Sequence, residues 1–193
     1  MKFIKKYLNN YKYSFENINT DKLNEIIVTI SKMKKNGRIF FLGVGGSAAN
    51  CSHAVNDFRK LCNIESYAIT DNQAELTARI NDEGWNSSYV NYLKISKLNS
   101  KDILFIFSVG GGNIKKKVSV NIIECIKYAK KKKSKILGIT GNIGGYTSKN
   151  ADIVIKVPIK DNELITPLSE SFQSIIWHCI VSDPRLKINE TKW

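Results

Sequence analysis

Leu23, Ile26, Ile27, Ile30 and Met33 recur three and four residues apart, the spacing of the apolar stripe that an amphipathic helix buries. Thr20 and Asp21 stand ahead of this stripe as caps, and residues 2–36 as a whole predict two helices closed by Asn36-Gly37. The pattern then changes. Ile39 to Leu42 is a short unbroken apolar run, the mark of a buried strand within 38–43. Gly43, Gly45 and Gly46 predict a tight turn, followed by a helix from about 47 to 62. Ser66 to Thr70 is a second strand, and a short helix from about 73 to 80 leads into a polar loop, Asn81-Asp82-Glu83-Gly84. A helical pattern resumes from Tyr89 to Ile95. Ile103 to Phe107 is the clearest buried strand, with Ser108-Val-Gly-Gly-Gly-Asn113 as a second glycine-rich loop. Val118, Val120, Ile122, Ile123, Ile126 and Ala129 give a helix over 118–132 its apolar side. Strand Lys135 to Thr140, a third loop from Gly141 to Gly145, strand Ile153 to Val157 and a last helix from about 166 to 182 complete the series.

Strands that alternate with helices in this way predict the α/β class. The expected architecture is a three-layer α-β-α sandwich around a five-stranded, mainly parallel sheet, with the N-terminal helices added to it. Sheets of this kind bind ligands at the carboxyl ends of their strands. All three glycine-rich loops fall at such ends, so they are expected to line one crevice. A length of 193 residues fits one domain with a substantial core.

Composition narrows the function classes. Hydrophobic content of 42% with only three prolines argues against disorder. No apolar run approaches the ~20 residues needed to span a membrane, and the opening Met-Lys-Phe-Ile-Lys-Lys lacks the apolar segment of a secretory signal. A cytoplasmic location without a membrane partner is therefore expected. Cys51, Cys62, Cys125 and Cys179 lack paired metal-finger spacing and are expected to be reduced, with Cys51 a buried thiol rather than a reactive one. Thirty basic against seventeen acidic residues give a net charge of +13, which suits an anionic partner. Neither aromatic residues interleaved with a basic stripe nor a recognised nucleic-acid motif is present, so no nucleic acid is expected. Lys130 to Lys133 read as a solvated helix end favoured by the helix dipole; Lys115 to Lys117 abut the second glycine loop.

The first glycine turn carries the candidate chemistry. Free N–H groups at a helix start, helped by the dipole, favour a phosphate or sugar oxygen. Ser47 stands where it can cap the helix or point its hydroxyl at a bound anion. Further along, His53 and Asp57 are four residues apart and share a face. The dinucleotide fingerprint is excluded, because Gly-x-Gly-x-x-Gly needs glycine where Ala48 stands.

Gly45-Gly46-Ser47-Ala48-Ala49 with His53 and Asp57 is followed by Asn81-Asp82-x-Gly84, the Ser108 loop, Gly138-Ile-Thr-Gly141 and the late His178. In that order these segments resemble a sugar isomerase (SIS) domain over nearly the whole chain. More narrowly, they resemble the phosphoheptose isomerases, which convert sedoheptulose 7-phosphate to D-glycero-D-manno-heptose 7-phosphate. The resemblance implies a homotetramer with sites at subunit contacts, residues 1–193 as one SIS domain, and the helical pair 1–36 packing in the oligomer. Those enzymes carry His-x-x-x-Glu on one helix and Gln and His eight residues apart on a C-terminal helix, and some bind zinc through the four side chains. Carried over, the metal ligands are His53, Asp57, Glu170 and His178, with one divalent ion per site, zinc foremost. Asp57 and His178 are then the proton-transfer pair.

Two of the four positions depart from the family: Asp57 stands for glutamate and Glu170 for glutamine. A helix rises about 12 Å over eight residues, so Glu170 and His178 must lean toward each other or serve different sites, and Gln173 is the reserve ligand. The resemblance assigns substrate contacts to Gly45, Gly46, Ser47, Asn81, Asp82, Ser108, Gly110, Gly111 and Asn113. Where the family shows Ser-Thr-Ser-Gly-Asn-Ser, this chain has Ser108-Val-Gly-Gly-Gly-Asn113, so backbone N–H groups must replace two lost hydroxyls. The function implied is an aldose–ketose isomerase for heptose biosynthesis toward surface polysaccharide. The alternatives are a non-catalytic module that binds a sugar phosphate, or an isomerase of another phosphorylated sugar.

Overall fold

Five short apolar runs supply the sheet of the computed structural model, which describes residues 1–191; Lys192 and Trp193, the end of the expected domain, lie outside the described residues. The strands are β1 (Ile39–Leu42), β2 (Ser66–Ala68), β3 (Ile103–Ser108), β4 (Lys135–Thr140) and β5 (Ile153–Lys156). All neighbours pair in parallel, in the order β2-β1-β3-β4-β5. The helices are α1 (Lys2–Asn17), α2 (Thr20–Ser31), α3 (Gly46–Cys62), α4 (Gln73–Glu83), α5 (Trp85–Ile95), α6 (Val120–Lys132), α7 (Gly145–Asn150) and α8 (Ile165–Ser182). Side chains alternate across the strands, as a pleated sheet requires. Phe41, Phe105, Phe107 and Leu137 face the layer of α2, α3 and α8. Phe40, Leu42, Leu104 and Ile106 face that of α5 and α6. The expected three-layer architecture is the one observed, and the sheet is wholly parallel.

The strand order has a functional corollary. β1 leads outward to β2, and β3 leads the other way to β4 and β5. The topological switch therefore lies between β1 and β3, where open α/β sheets leave a crevice at the carboxyl ends. The turn 43–46 follows β1 and the loop 108–113 follows β3, so the two flank that switch.

Several boundaries differ from expectation, each for a local reason. The polar loop expected at 81–84 is helix: α4 runs through Glu83 and ends at Gly84. Asn72 caps it by accepting the Glu75 N–H at 3.1 Å. Arg79 bridges Glu75 (2.8 Å) and Glu83 (3.2 Å) one turn either way, which extends the helix past the apolar pattern. α6 starts at Val120 rather than 118, because Val118 pairs back with Asn113 and Ser119 takes a left-handed backbone with φ 51°. The second strand stops at Ala68, α5 starts at Trp85, and Gly145 opens a short helix, α7, that apolar periodicity does not signal. Among the described residues, no helix is long and apolar enough to cross a membrane.

Candidate active site

α3 brings His53 and Asp57 to one face, and α8 lies against it with His178. The three side chains offer ligand atoms that all lie within 4.8 Å of one another. Asp57 Oδ2 is 3.9 Å from His53 Nε2 and 3.7 Å from His178 Nε2. These separations are too long for hydrogen bonds, so a gap remains between the three atoms. The Asp57 side chain is recessed at 14% exposure, whereas the imidazoles stand open at 58% and 46%. Asp57 Oδ1 accepts from Asn56 Nδ2 at 2.8 Å, which leaves Oδ2 as the oxygen turned to the imidazoles.

Helix geometry also sets the proton on His178. Its Nδ1 lies 2.8 Å from the Ser174 carbonyl and 3.2 Å from the Ser174 hydroxyl. A carbonyl only accepts, so Nδ1 carries the hydrogen and Nε2 presents its lone pair toward Asp57. Trp177 packs against both imidazoles, with ring centroids 3.5 Å from His178 and 4.7 Å from His53.

Two imidazoles and a carboxylate around a gap fit a divalent ion, since three protein ligands and an open position are a common catalytic set. Glu170 is not part of this group. Its carboxylate lies instead against the glycine turn, where a Cβ added at Gly46 would fall 2.6 Å from Glu170 Cδ. Two turns of α8 separate position 170 from His178, so three of the four expected ligands meet here while the Glu170 carboxylate lies at the turn. Gln173, the reserve ligand, is turned to other partners. It is fully buried, with Nε2 donating to Ser47 Oγ at 3.0 Å and Oε1 accepting from Asn50 Nδ2 at 3.0 Å.

That contact also corrects the reading of Ser47. Gly45 holds the N-cap position and the helix begins at Gly46, so Ser47 lies inside the first turn and caps nothing. Its hydroxyl is 1% exposed and tied to Gln173 across the α3–α8 interface. Asn50 completes the tie by donating to the Glu170 carbonyl at 2.8 Å. Replacing Gln173 by leucine is expected to cost roughly 1–3 kcal/mol by stranding the Ser47 and Asn50 groups. Urea unfolding measures this, and a loss under about 0.5 kcal/mol would show that the tie carries little. The turn is held from below as well: Tyr89, buried in α5, donates its hydroxyl to the Gly43 carbonyl at 2.9 Å. Burial raises the Tyr89 phenol and keeps it protonated as a donor. No local pattern in the sequence announces either Gln173 or Tyr89 as a positioning group.

The second glycine loop is a knitted structure. Ser108 Oγ is buried and accepts the Gly111 N–H at 3.0 Å, so this hydroxyl shapes the loop. The Gly111 carbonyl accepts from both Thr147 N and Thr147 Oγ1, each at 2.8 Å, and the Gly112 carbonyl from Tyr146 N at 2.9 Å. Gly111 has φ 68°, and a Cβ there would lie 2.5 Å from the Gly144 carbonyl carbon, so only glycine fits. Gly110 meets open space. Asn113 is exposed, pairs with Val118 and accepts the Lys116 N–H, which places Lys115 to Lys117 at the tip of a small loop. Asn81 and Asp82 are exposed on the last turn of α4 and hydrogen-bond to each other at 2.7 Å, not to either glycine loop. Gly45 and Gly46 lie exposed at the turn.

The cysteines behave as buried thiols where they adjoin the site. Burial pushes Cys51 well up, and burial together with nearby Asp57 raises Cys62 to about 11. All four cysteines are free.

Comparison with known proteins places these residues in context. The SIS domain family model matches residues 5–141. A lincomycin biosynthesis protein of Streptomyces lincolnensis, LmbN, is 30% identical over 156 residues, covering 77% of this chain and 56% of LmbN. This chain thus spans little more than half the length of that relative. The phosphoheptose isomerase of Aliarcobacter butzleri is 29% identical over 164 residues, 82% of each chain. The structure of phosphoheptose isomerase GmhA from Neisseria gonorrhoeae superposes with a TM-score of 0.80, covering 93% of this chain and 96% of that one at 20% identity. That of Francisella tularensis gives 0.79 at 21% identity, over 93% and 95%. At such identities the likeness is one of fold.

Proposed function

The chain belongs to the SIS domain family, and from that premise we propose that it is an aldose–ketose isomerase acting on a phosphorylated sugar. Sedoheptulose 7-phosphate is the proposed substrate and D-glycero-D-manno-heptose 7-phosphate the product, in keeping with the relatives named phosphoheptose isomerase. The observation that carries the proposal is the imidazole–carboxylate–imidazole group that α3 and α8 build beside the glycine turn.

Aldose–ketose exchange moves a proton between adjacent carbons through an enediol while carbonyl and hydroxyl oxygens exchange roles. It needs a group to take the carbon-bound proton and a group to serve the oxygens. Asp57 Oδ2 and His178 Nε2, 3.7 Å apart, each offer a lone pair and divide these tasks. Asn56 keeps the other Asp57 oxygen occupied, and the Ser174 carbonyl keeps the imidazole in one tautomer. A divalent ion held by His53, Asp57 and His178 would supply Lewis-acid polarisation of a substrate oxygen and would take up the Nε2 lone pair, standing in for His178 at the oxygens while Asp57 remains the base. The N–H groups around open Gly110 are the proposed phosphate contacts, with Lys115 to Lys117 nearby. The proposed assembly is a tetramer that encloses the exposed imidazoles at a subunit contact.

Purified protein, loaded with divalent metal, is expected to convert sedoheptulose 7-phosphate to its aldose, followed by product analysis over time. Failure to interconvert this or any other phosphorylated ketose with its aldose, metal-loaded or not, would sink the proposal.

A further inference from the structure

The two imidazoles beside Asp57 are held in different ways, and the difference singles out Trp177. We infer that Trp177 is a positioning residue, whose indole keeps the His53 ring turned with Nε2 toward the gap, a task that a hydrogen bond performs for His178. The inference deepens the reading of this group as a metal-assisted proton-transfer site and rests on it.

A histidine that serves a metal almost always donates its second ring N–H to a carbonyl or carboxylate, which fixes the ring. His178 has such a partner, since its Nδ1–H reaches the Ser174 carbonyl at 2.8 Å. His53 has none. Its Nε2 lies 3.9 Å from Asp57 Oδ2, and among the described residues neither ring nitrogen makes a hydrogen bond. With the side chain 58% exposed, little else keeps the ring from swinging into solvent. What it does meet is Trp177, edge to face, with centroids 4.7 Å apart and planes at 67°. An aromatic contact of this kind favours one ring orientation by about two- to tenfold.

Stability alone does not account for an indole at this place. Trp177 is fully buried in the core that α3 and α8 share, and its Nε1 has no hydrogen-bond partner among the described residues. A stranded buried donor costs free energy that leucine or phenylalanine would avoid. The indole instead offers one flat, rigid surface wide enough for both rings: His178 lies over it at 3.5 Å with planes tilted by 31°, and His53 abuts it from α3. The imidazoles themselves stand 5.3 Å apart at 85°, so a single buried ring sets the angle between them. Close packing holds the indole, and the indole in turn holds a histidine that lacks its own tether.

The test is the zinc Kd, read by competition with a chromophoric chelator on wild type, Trp177→Leu, Trp177→Phe and Phe172→Leu, with urea unfolding of each metal-free protein. Trp177→Leu is expected to raise the Kd about tenfold, the lower end of what losing an outer-shell partner costs. Trp177→Phe keeps an aromatic face and is expected to stay within about threefold of wild type. Phe172 is the control, fully buried on the same helix but packed against Tyr11 and Phe15 of α1. Its leucine variant should lose stability and keep the wild-type Kd. Should the cavity in Trp177→Leu prevent folding, Trp177→Met fills more of the space without a flat face and carries the same expectation. An unchanged Kd in Trp177→Leu or Trp177→Met would overturn the inference. So would a weakening shared by Trp177→Phe and Phe172→Leu in step with their lost stability, or a wild type that takes up no zinc. Because the competition needs no turnover, a zinc-binding wild type without isomerase activity would sink the functional proposal separately.

Discussion

Asp57→Asn is expected to lower turnover by about 10²–10⁴-fold, the contribution typical of a positioned acid–base group. The substitution is nearly isosteric. It removes the one negative charge that the two imidazoles share, and it replaces a proton-accepting oxygen with an amide that cannot take a proton. Because the side chain is only 14% exposed and makes a single local hydrogen bond to Asn56, the fold has little reliance on its charge. A melting temperature near that of wild type should therefore accompany the lost activity. His178→Gln is the companion variant, since it removes the Nε2 lone pair that faces Asp57. If Asp57→Asn kept more than about a tenth of wild-type kcat, the carboxylate would not be transferring the proton, and the Asp57–His178 division of labour would be wrong.

The pairing of His53 with Asp57 is visible in the chain because helix geometry makes residues four apart neighbours. The strands are visible for a related reason: a parallel sheet buried on both faces requires unbroken apolar runs such as Ile103 to Phe107, which have no other good explanation. Elsewhere the deciding interactions are polar and distant. Ser47 reads as a cap or an anion ligand, and nothing local shows that it caps no N–H or that its Oγ accepts from Gln173, 126 residues away. Glu170 reads as a ligand by family position, and nothing local shows that its carboxylate lies against Gly46 of α3. The end of α4 was set by Arg79 reaching Glu75 and Glu83, an ion-pair ladder that apolar periodicity does not register. Local rules thus place elements well and place side-chain partners across elements poorly, because the second depends on how surfaces meet.

Asp102 carries that lesson furthest, since nothing local marks it as more than a polar residue before β3. It is 1% exposed, and its carboxylate accepts from Arg38 N (3.0 Å), Arg38 Nε (3.1 Å) and Arg38 Nη2 (2.8 Å), and from Asn99 N and Nδ2 (both 3.0 Å). Its own carbonyl accepts from Ser134 Oγ at 2.7 Å, while Ile103 N donates to the Arg38 carbonyl at 2.8 Å. The residues just before β1, β3 and β4 are thereby tied at the amino ends of the three central strands, the edge opposite the glycine loops. The Asp102 hydrogen bonds are also the largest cause that raises Arg38 above the usual guanidinium range. Asp102→Ala is expected to destabilise the protein by about 3 kcal/mol, the lower end of the range for breaking a buried pair, because Arg38 keeps some contact with water. Against a total of roughly 5–15 kcal/mol, that is a large fraction. Guanidinium unfolding would show it as a lower midpoint. Below its new melting temperature the variant should still turn over substrate, since the α3–α8 group lies at the other end of the strands. A loss under about 1 kcal/mol would place this cluster with surface ion pairs, and the amino edge of the sheet would have to be held by the backbone ladder and apolar core alone.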